Sequence, residues 1–323
     1  MKAIFVYLLL ATTLAAAPAA KAQDNYPNRP VTLVVPVPPG GAADFIARLV
    51  GHKLSDALGQ PVVISNRGGA SGTIASDNVA KSAPDGYTLL LNSITTHGIG
   101  PHLYTSLPYD SVKDFAPIAL VANLPLIMTI NAEHPMKSVK EVVDFAKANP
   151  GKLSFASSGN GGAPHLASEL FQNVAGIKML HVPYRGSGPA VIDVGAGRVD
   201  MMFDAVPSLL PLIQAGKLRP LAAASAARNP IVPDAPTFAE LGIKGMEISL
   251  WYGLTGPAAL PQPIVQRLNA ELAKILKTDD VRENFAKHGA IAAGGSPQDY
   301  AQFMRDESAR WGEVVRKNNI KIE

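Results

Sequence analysis

The sequence predicts an α/β protein of two lobes, each a mainly parallel sheet flanked by helices, with two segments crossing between them. Three observations carry this. Apolar runs of strand length alternate with stretches of helical spacing, the order expected of βαβ units around a parallel sheet. The alternation occurs as two series, over about 31–92 and about 138–225. Two further apolar segments, 117–131 and 247–257, are long enough to cross from one lobe to the other. One continuous doubly wound sheet is the alternative arrangement of the same elements.

In the first series, VTLVV (31–35) is a continuous apolar run, as a strand buried on both faces requires. PVPPGG (36–41) is a rigid hinge followed by bare backbone. Ile46, Leu49, Val50, Leu54, Ala57 and Leu58 then fall at helical spacing, and Gly59 ends that helix. PVVIS (61–65) is the next strand, NRGGASG (66–72) a loop, and about 73–82 a helix. Pro84, Asp85 and Gly86 turn the chain into the strand YTLLLN (87–92).

The second series opens with Ser138 and Glu141, a capping-box pair, for a helix running to Asn149 and stopped by Pro150 and Gly151. LSFAS (153–157) is a strand, SGNGGAPH (158–165) a loop and 164–175 a helix. MLHVPY (179–184), VDMMF (199–203) and LRPLAAAS (218–225) are strands. Short helices follow RGSGPA (185–190) and DAVPS (204–208). Two long helices close the chain, one over about Pro263–Lys277 and one starting at Ser296 and Pro297, a cap followed by proline in the first turn. Both are expected to return to the first lobe.

The N-terminus reads as an export signal. Lys2 precedes the apolar stretch AIFVYLLLATTL (3–14), about a dozen residues and so too short for a spanning helix. Ala20-Lys21-Ala22 fits the A-x-A pattern, which places the expected cleavage after Ala22. An uncleaved anchor is the alternative. The chain has no cysteine, which removes a lipoprotein anchor, disulfides, thiol catalysis and cysteine metal sites together. A formal charge of +3 without any polybasic run gives no footprint for nucleic acid.

Familiar catalytic and nucleotide motifs are missing: no G-x-S-x-G, no H-E-x-x-H, no G-x-x-x-x-G-K-[ST] and no G-x-G-x-x-G. The seven histidines do not cluster at metal-ligand intervals, so no metal or cofactor is expected. What recurs is a loop type. Strand ends feed glycine- or serine-rich loops that open helices, at 38–44, 157–165, 185–188 and 204–208. In α/β sheets such loops gather at the carboxyl edges of the strands, where ligands bind. Helix N-termini present unpaired N–H groups and a partial positive charge, so they hold carboxylates without arginine. Two facing lobes with such edges would trap a small anion, and no turnover is expected. A hidden hydrolase set of Ser158, His165 and Asp204 is the catalytic alternative.

At this level of detail the sequence resembles a known family, the Bug proteins, which are TctC-like periplasmic solute-binding components of tripartite tricarboxylate transporters. The resemblance rests on YPNRPVTLVVPVPPGGAADFIAR (26–48), NRGGASGTIASDNVAKSAPDGYTLL (66–90), SLPYDSVKDFAPIALV (106–121), SFASSGNGGAPHLASELF (154–171), HVPYRGSGPAVIDVGAGRVDMMFDAVPS (181–208) and GPAALPQPIVQRLNAEL (256–272), in family order over nearly the whole chain. It implies the two-lobed "Venus flytrap" of the type II periplasmic binding proteins. The implied layout is a signal peptide over 1–22, a first lobe from 23–122 and 250–323, and a second lobe from 123–249. The implied ligand is a small mono-, di- or tricarboxylate, aromatic acids included, held mostly by loop backbone and ordered water.

The implied partners are integral-membrane transporter subunits (TctA/TctB-like), with the protein itself a periplasmic monomer. A sensor subunit that presents ligand to a membrane kinase is the alternative role. Carried over loop by loop, the first-lobe contacts are Pro39, Gly40, Gly41 and Asp44, with Ser93, Thr95 and Thr96. The second-lobe contacts are Ser157, Ser158, Gly159, Asn160 and His165, with Tyr184, Gly186, Ser187 and Asp204. Asp44 has the alternative of capping the first helix, and His165 that of packing. Asp204 would repel an anion unless it met a cation, a hydroxyl or a shared water, and so could discriminate between ligands. Val37 departs from the aromatic residue associated with the family's PFPPGG, which leaves the pocket size open.

Overall fold

The computed structural model describes residues 26–320, so the expected signal sequence lies outside the described residues. In the first lobe β1 (Val31–Val35) lies between β2 (Val62–Asn66) and β3 (Thr88–Ser93), both parallel to it. Val31, Leu33, Val34 and Val35 are all buried, which is why the run shows no polar alternation. Helix α1 (Ala42–Leu58) joins β1 to β2 and ends at Gly59 in the left-handed region, φ 68°. Helix α2 (Thr73–Ala80) joins β2 to β3. The stretch after β3 is a π-helical turn over 94–99, capped by Ser93, and it runs into α3 (Gly100–Leu103).

The first crossing segment is β4 (Phe115–Asn131), 17 residues long. From Phe115 to Pro125 it pairs antiparallel with β9 (Ser249–Pro257), which in turn pairs antiparallel with β3. From Leu126 onward it pairs instead with β7 (Met201–Ala205) and β8 (Leu218–Ala223). In the second lobe β5 (Ser154–Ser157) lies parallel to both β7 and β6 (Leu180–Pro183). The hydrogen-bonded path therefore runs β2-β1-β3-β9-β4-β7-β5-β6 without a break. The lobes are told apart by the change of partners along β4, where a single strand serves both halves of the sheet.

Helices α4 (Val139–Ala148), α5 (Ala163–Ala175), α6 (Ser187–Gly195) and α7 (Val206–Gln214) flank the second lobe. Half of the predicted capping box of α4 is formed: Ser138 Oγ accepts the Glu141 N–H at 3.2 Å, but the Glu141 carboxylate reaches one residue too far back and accepts the Lys137 N–H at 2.6 Å instead of that of Ser138. Phe171, Phe203 and Phe238 pack together in the core of this lobe, with ring centroids 5.6–5.9 Å apart.

The C-terminal region holds more than the two helices expected. Between α8 (Gln262–Ile275) and α10 (Pro297–Lys317) come α9 (Asp279–Lys287) and β10 (Ile291–Gly294), the latter antiparallel to β4. Neither was legible in sequence. Helix α9 buries only Val281 and Phe285, too few positions to set a period, and β10 is four residues long. The two long helices, α8 and α10, bond to β4 and β3 respectively. Asn269 of α8 donates to the Ile118 carbonyl at 2.8 Å, and the Tyr300 hydroxyl of α10 donates to Asn92 Oδ1 at 2.6 Å. The indole N–H groups of Trp251 and Trp311 both donate to Glu307 Oε2, at 3.0 and 3.3 Å. Both rings are almost fully buried, and truncating either to alanine is expected to cost about 3–5 kcal/mol. The far end of α10 also touches the second lobe, where Asn173 donates to the Asn318 carbonyl at 3.1 Å.

Candidate ligand site

The carboxyl ends of β1 and β3 face those of β5, β6 and β7 across the gap between the lobes. The lobes meet there. Thr95 Oγ1 accepts the Ala163 N–H at 3.3 Å, and Ser71 Oγ donates to the Asn160 carbonyl. A methyl group placed on Gly41 would lie 3.6 Å from Ser187 Cβ, and one on Gly186 would lie 3.4 Å from Pro38 Cγ. Between these contacts remains a cavity of about 50 Å³. Its wall comes from Pro36, Val37, Pro38, Gly41, Ala42, Ala43, Ser93, Thr95, Leu250 and Tyr252 of the first lobe, and from Ser158, Pro164, Gly186, Ser187 and Asp204 of the second.

Three helix N-termini open at this wall. The N-cap residues of α1, α5 and α6 are Gly41, Gly162 and Gly186, and none supplies a side-chain cap. Ser138 and Ser296 cap α4 and α10, while α2, α3, α7, α8 and α9 also lack a side-chain cap, so what sets α1, α5 and α6 apart is their shared position at one cavity. A helix start without a side-chain cap leaves N–H donors for another acceptor, together with about half a positive charge. The glycine caps also allow the close approach of the two lobes, since a side chain at Gly41 or Gly186 would stand between them.

Seven of the sixteen candidate residues line the cavity: Gly41, Ser93, Thr95, Ser158, Gly186, Ser187 and Asp204. The other nine lie beside it. Pro39 and Gly40 are exposed at the rim. The Gly40 N–H points to Asp44 Oδ2 at 3.1 Å, and its φ of +94° explains the glycine. Asp44 is a brace for this hinge. Its Oδ2 also accepts from Arg48 Nε at 3.0 Å, and its Oδ1 accepts from Asn66 at 3.1 Å. Burial works to raise its pKa, but the bonds from Arg48, Gly40 and Asn66 outweigh it and hold the carboxyl below its ordinary value.

Thr96 is buried against Ser93 and His97, bonding the Ser93 backbone and His97 Nδ1. Ser157 is buried and pairs with His181 Nε2 at 2.7 Å while accepting the Gly159 N–H at 3.2 Å. His165 lies under the same loop, accepting the Gly161 N–H on Nδ1 at 3.0 Å, its ring stacked on His181 at 4.0 Å. These groups shape the 157–161 loop from beneath. Asn160 is exposed on that loop. Tyr184 turns its hydroxyl to Asp193 at 2.7 Å. Among the described residues no hydrogen bond joins Ser158, His165 and Asp204 to one another, so the hydrolase arrangement is not assembled.

Asp204 sits at the end of β7 and is 1% exposed. Its Oδ1 accepts the Ala205 N–H at 2.7 Å, and its Oδ2 has no hydrogen-bond partner in the protein. Burial pushes its pKa up to about 6, against the smaller pull of Ser187, the Ala205 N–H and Ser208. Burial, and after it the nearby Asp204 charge, raises the pKa of Tyr252 on the opposite wall. Tyr252 and Leu250 were not anticipated. They share one face of β9 by strand alternation, and the pairing of Tyr252 with Ser93 and with Ala122 brings that face to the cavity.

A larger groove of about 910 Å³ lies elsewhere, between the 224–230 segment of the second lobe and α9, β10 and α10 of the first. Among the described residues no helix N-terminus lines it. Among the described residues no cluster of three or more His, Cys, Asp or Glu could hold a metal ion.

Two lobes hinged on a shared strand, with strand carboxyl ends facing across a closed gap, is the architecture of the periplasmic binding proteins. Residues 46–320 match the model of the tripartite tricarboxylate transporter family receptor, TctC. The chain belongs to this receptor family. It is 39% identical to protein BugT of Bordetella pertussis, over 98% of this chain and 97% of that one. The receptor also superposes on Rpa4515 of R. palustris, solved with adipate, with a TM-score of 0.89 and 38% identity over 92% of this chain and 99% of the other. MatC from Rhodopseudomonas palustris, solved with bound malate, gives 0.86 and 35% over 90% and 100%. It is thus a TctC-type, Bug-family periplasmic solute-binding protein with the type II two-lobed fold. Among its described residues no helix is long and apolar enough to cross a membrane.

Proposed function

We propose that this receptor binds a small organic acid between its lobes in the periplasm and delivers it, without turnover, to the integral-membrane subunits of a tripartite tricarboxylate transporter. The observation that carries the proposal is the meeting of three N-termini, those of α1, α5 and α6, at one interlobe cavity, with α1 and α6 the freer ends because Thr95 Oγ1 already takes the Ala163 N–H of α5. Such a wall offers N–H donors and partial positive charge, and it suits a carboxylate in place of a side-chain cap. Adipate and malate in the two structural relatives fit the same chemistry.

The cavity of about 50 Å³ holds only a few waters. A ligand of several carbons therefore enters by parting the lobes, and the bound state closes by a hinge motion. The change of partners between Pro125 and Leu126 on β4 supports lobe limits near 122 and 250, with 23–122 and 250–323 as one body and 123–249 as the other. The acid would rest on the first-lobe loops, and Ser158, Gly186, Ser187 and Asp204 would close over it.

The test is a thermal-shift screen of the purified protein against mono-, di- and tricarboxylates, aromatic acids, sugars, polyamines and nucleotides. At a hundredfold excess over Kd a carboxylate is expected to add about 2.7 kcal/mol of stability, and the other classes nothing. A response confined to neutral or cationic compounds would overturn the proposal. Uptake of the identified acid by cells lacking the membrane subunits separates delivery to a transporter from presentation to a membrane sensor.

A further inference from the structure

Among the helix N-termini that open at the cavity stands one group of the opposite hydrogen-bond polarity. On the first-lobe side, α1 starts at the cavity with the N–H groups of Ala42 and Ala43 lacking a side-chain cap. On the second-lobe side stands a carboxylate oxygen, Asp204 Oδ2, buried and without a partner. Its sister oxygen is held by the Ala205 N–H, which fixes which oxygen is left over. Among the described residues no lysine, arginine or histidine pairs with Asp204; the hydroxyls of Ser187 and Ser208 lie near it, but neither bonds Oδ2, and Ser208 Oγ is itself buried and unbonded. A buried acceptor left in this state is expensive, and burial with a raised pKa is the common signature of a functional carboxyl.

A ligand carboxylate cannot satisfy Asp204 Oδ2, because two acceptors would face each other. A group that donates can. We infer that the ligand is an acid that also carries a hydroxyl or ammonium group, with its carboxylate at the start of α1 and its donor on Asp204 Oδ2. This rests on the carboxylate proposal above and narrows it. Asp204 is then the specificity-determining residue, admitting donor-bearing acids and rejecting their plain counterparts by leaving its own oxygen unpaired.

The experiment is isothermal titration of the purified full-length mature chain, freed of co-purified ligand by unfolding and refolding, with matched acids. Malate and aspartate are each compared with succinate, lactate and alanine with propionate, and mandelate with phenylacetate. The hydroxyl and ammonium arms separate the two kinds of donor. In the native protein the donor-bearing member of the best-binding set is expected to bind at least about tenfold tighter than its plain counterpart. In Asp204→Asn the amide oxygen takes the Ala205 N–H, so an –NH₂ donor replaces Oδ2 at the cavity. The preference is then expected to vanish or reverse, with the plain acid gaining affinity. Plain acids binding native protein as tightly as their donor-bearing partners would overturn the inference and leave the carboxylate proposal standing. A preference that survives in folded Asp204→Asn would also overturn it. If no acid of either kind binds, the carboxylate proposal falls and this inference with it.

Discussion

Thr95 Oγ1 of the first lobe accepts a hydrogen bond from the Ala163 N–H of the second, at 3.3 Å. Ala163 is the first residue of α5, so this N–H is one of the donors a helix cannot satisfy internally. The bond exists only while the lobes are together, and it therefore favours the closed state over the open one. Removing the acceptor with Thr95→Val keeps the side-chain shape and leaves the N–H unpaired. The closed state is expected to lose about 1 kcal/mol, seen as a roughly fivefold rise in Kd for the ligand found in the screen. Small-angle scattering on the variant at subsaturating ligand should report a larger open fraction. An unchanged Kd would mean that the contact contributes nothing to closure.

Adjacent glycines of the hinge are expected to fail in different ways. A side chain on Gly41 meets Ser187 Cβ at 3.6 Å and Ser187 Oγ at 3.7 Å before any branch is added. Gly41→Val therefore wedges the lobes apart, and binding should weaken at least about tenfold while the melting temperature of the ligand-free protein holds. Gly40 has open space around it but a φ of +94°. Gly40→Val is expected to lower stability by about 1–3 kcal/mol through backbone strain, with a smaller effect on affinity. Equal affinity losses in the two variants would contradict this division.

Asp204 ties stability to pH with an unusual sign for an acid. Its pKa rises from an ordinary 3.8 to about 6 on folding, chiefly by burial. Between those values the native state holds more protons than the unfolded state, so stability falls as pH rises through the window and stays lower above it. Asp204→Asn abolishes the charge and is expected to be more stable than the native protein above pH 6, by on the order of 2–3 kcal/mol at most. The difference should shrink to nothing below about pH 4. Melting curves of both proteins from pH 3.5 to 8, without ligand, give the comparison, and a difference that does not vary with pH would refute it.

Two histidines, His97 buried and His181 half-buried, act in the opposite direction. Burial lowers the pKa of His97 to about 3, and burial followed by the neighbouring His165 lowers that of His181 to about 4, from an ordinary 6.5. Unfolding at pH 5 releases them to take up protons, so their contribution to stability is complete above pH 6.5 and is lost as pH falls below it. His97 packs against Phe115 with ring centroids 4.6 Å apart, so His97→Phe keeps an aromatic ring in place. The drop in melting temperature between pH 7 and pH 4.5 should be shallower in that variant than in the native protein. A drop of the same size would assign acid sensitivity to other groups.

Sequence by itself determined the order of elements as far as β9, the two series of parallel strands, the crossing role of 117–131 and the nature of the loops that face the interlobe cavity. Each is a local property. The buried run of β1, the Ser138 cap of α4 and the glycine caps at Gly41 and Gly186 are dictated by residues within a few positions of one another. Family motifs carried the rest of the fold. Only tertiary structure decided which residues of those loops turn inward. Gly40 and Gly41 are neighbours, yet one N–H is taken by Asp44 and the other glycine meets Ser187 across the cavity. Asp44 in the first turn of α1 and Asp204 at the end of β7 are both buried carboxyls, but Arg48 and Asn66 saturate the first while the second keeps an unpaired oxygen. Tyr252 reaches the cavity only through its pairing with Ser93, 159 positions earlier in the chain. A loop's composition sets what it can offer, whereas register, burial and the partners already taken set what remains free to bind. Those depend on residues far apart in sequence.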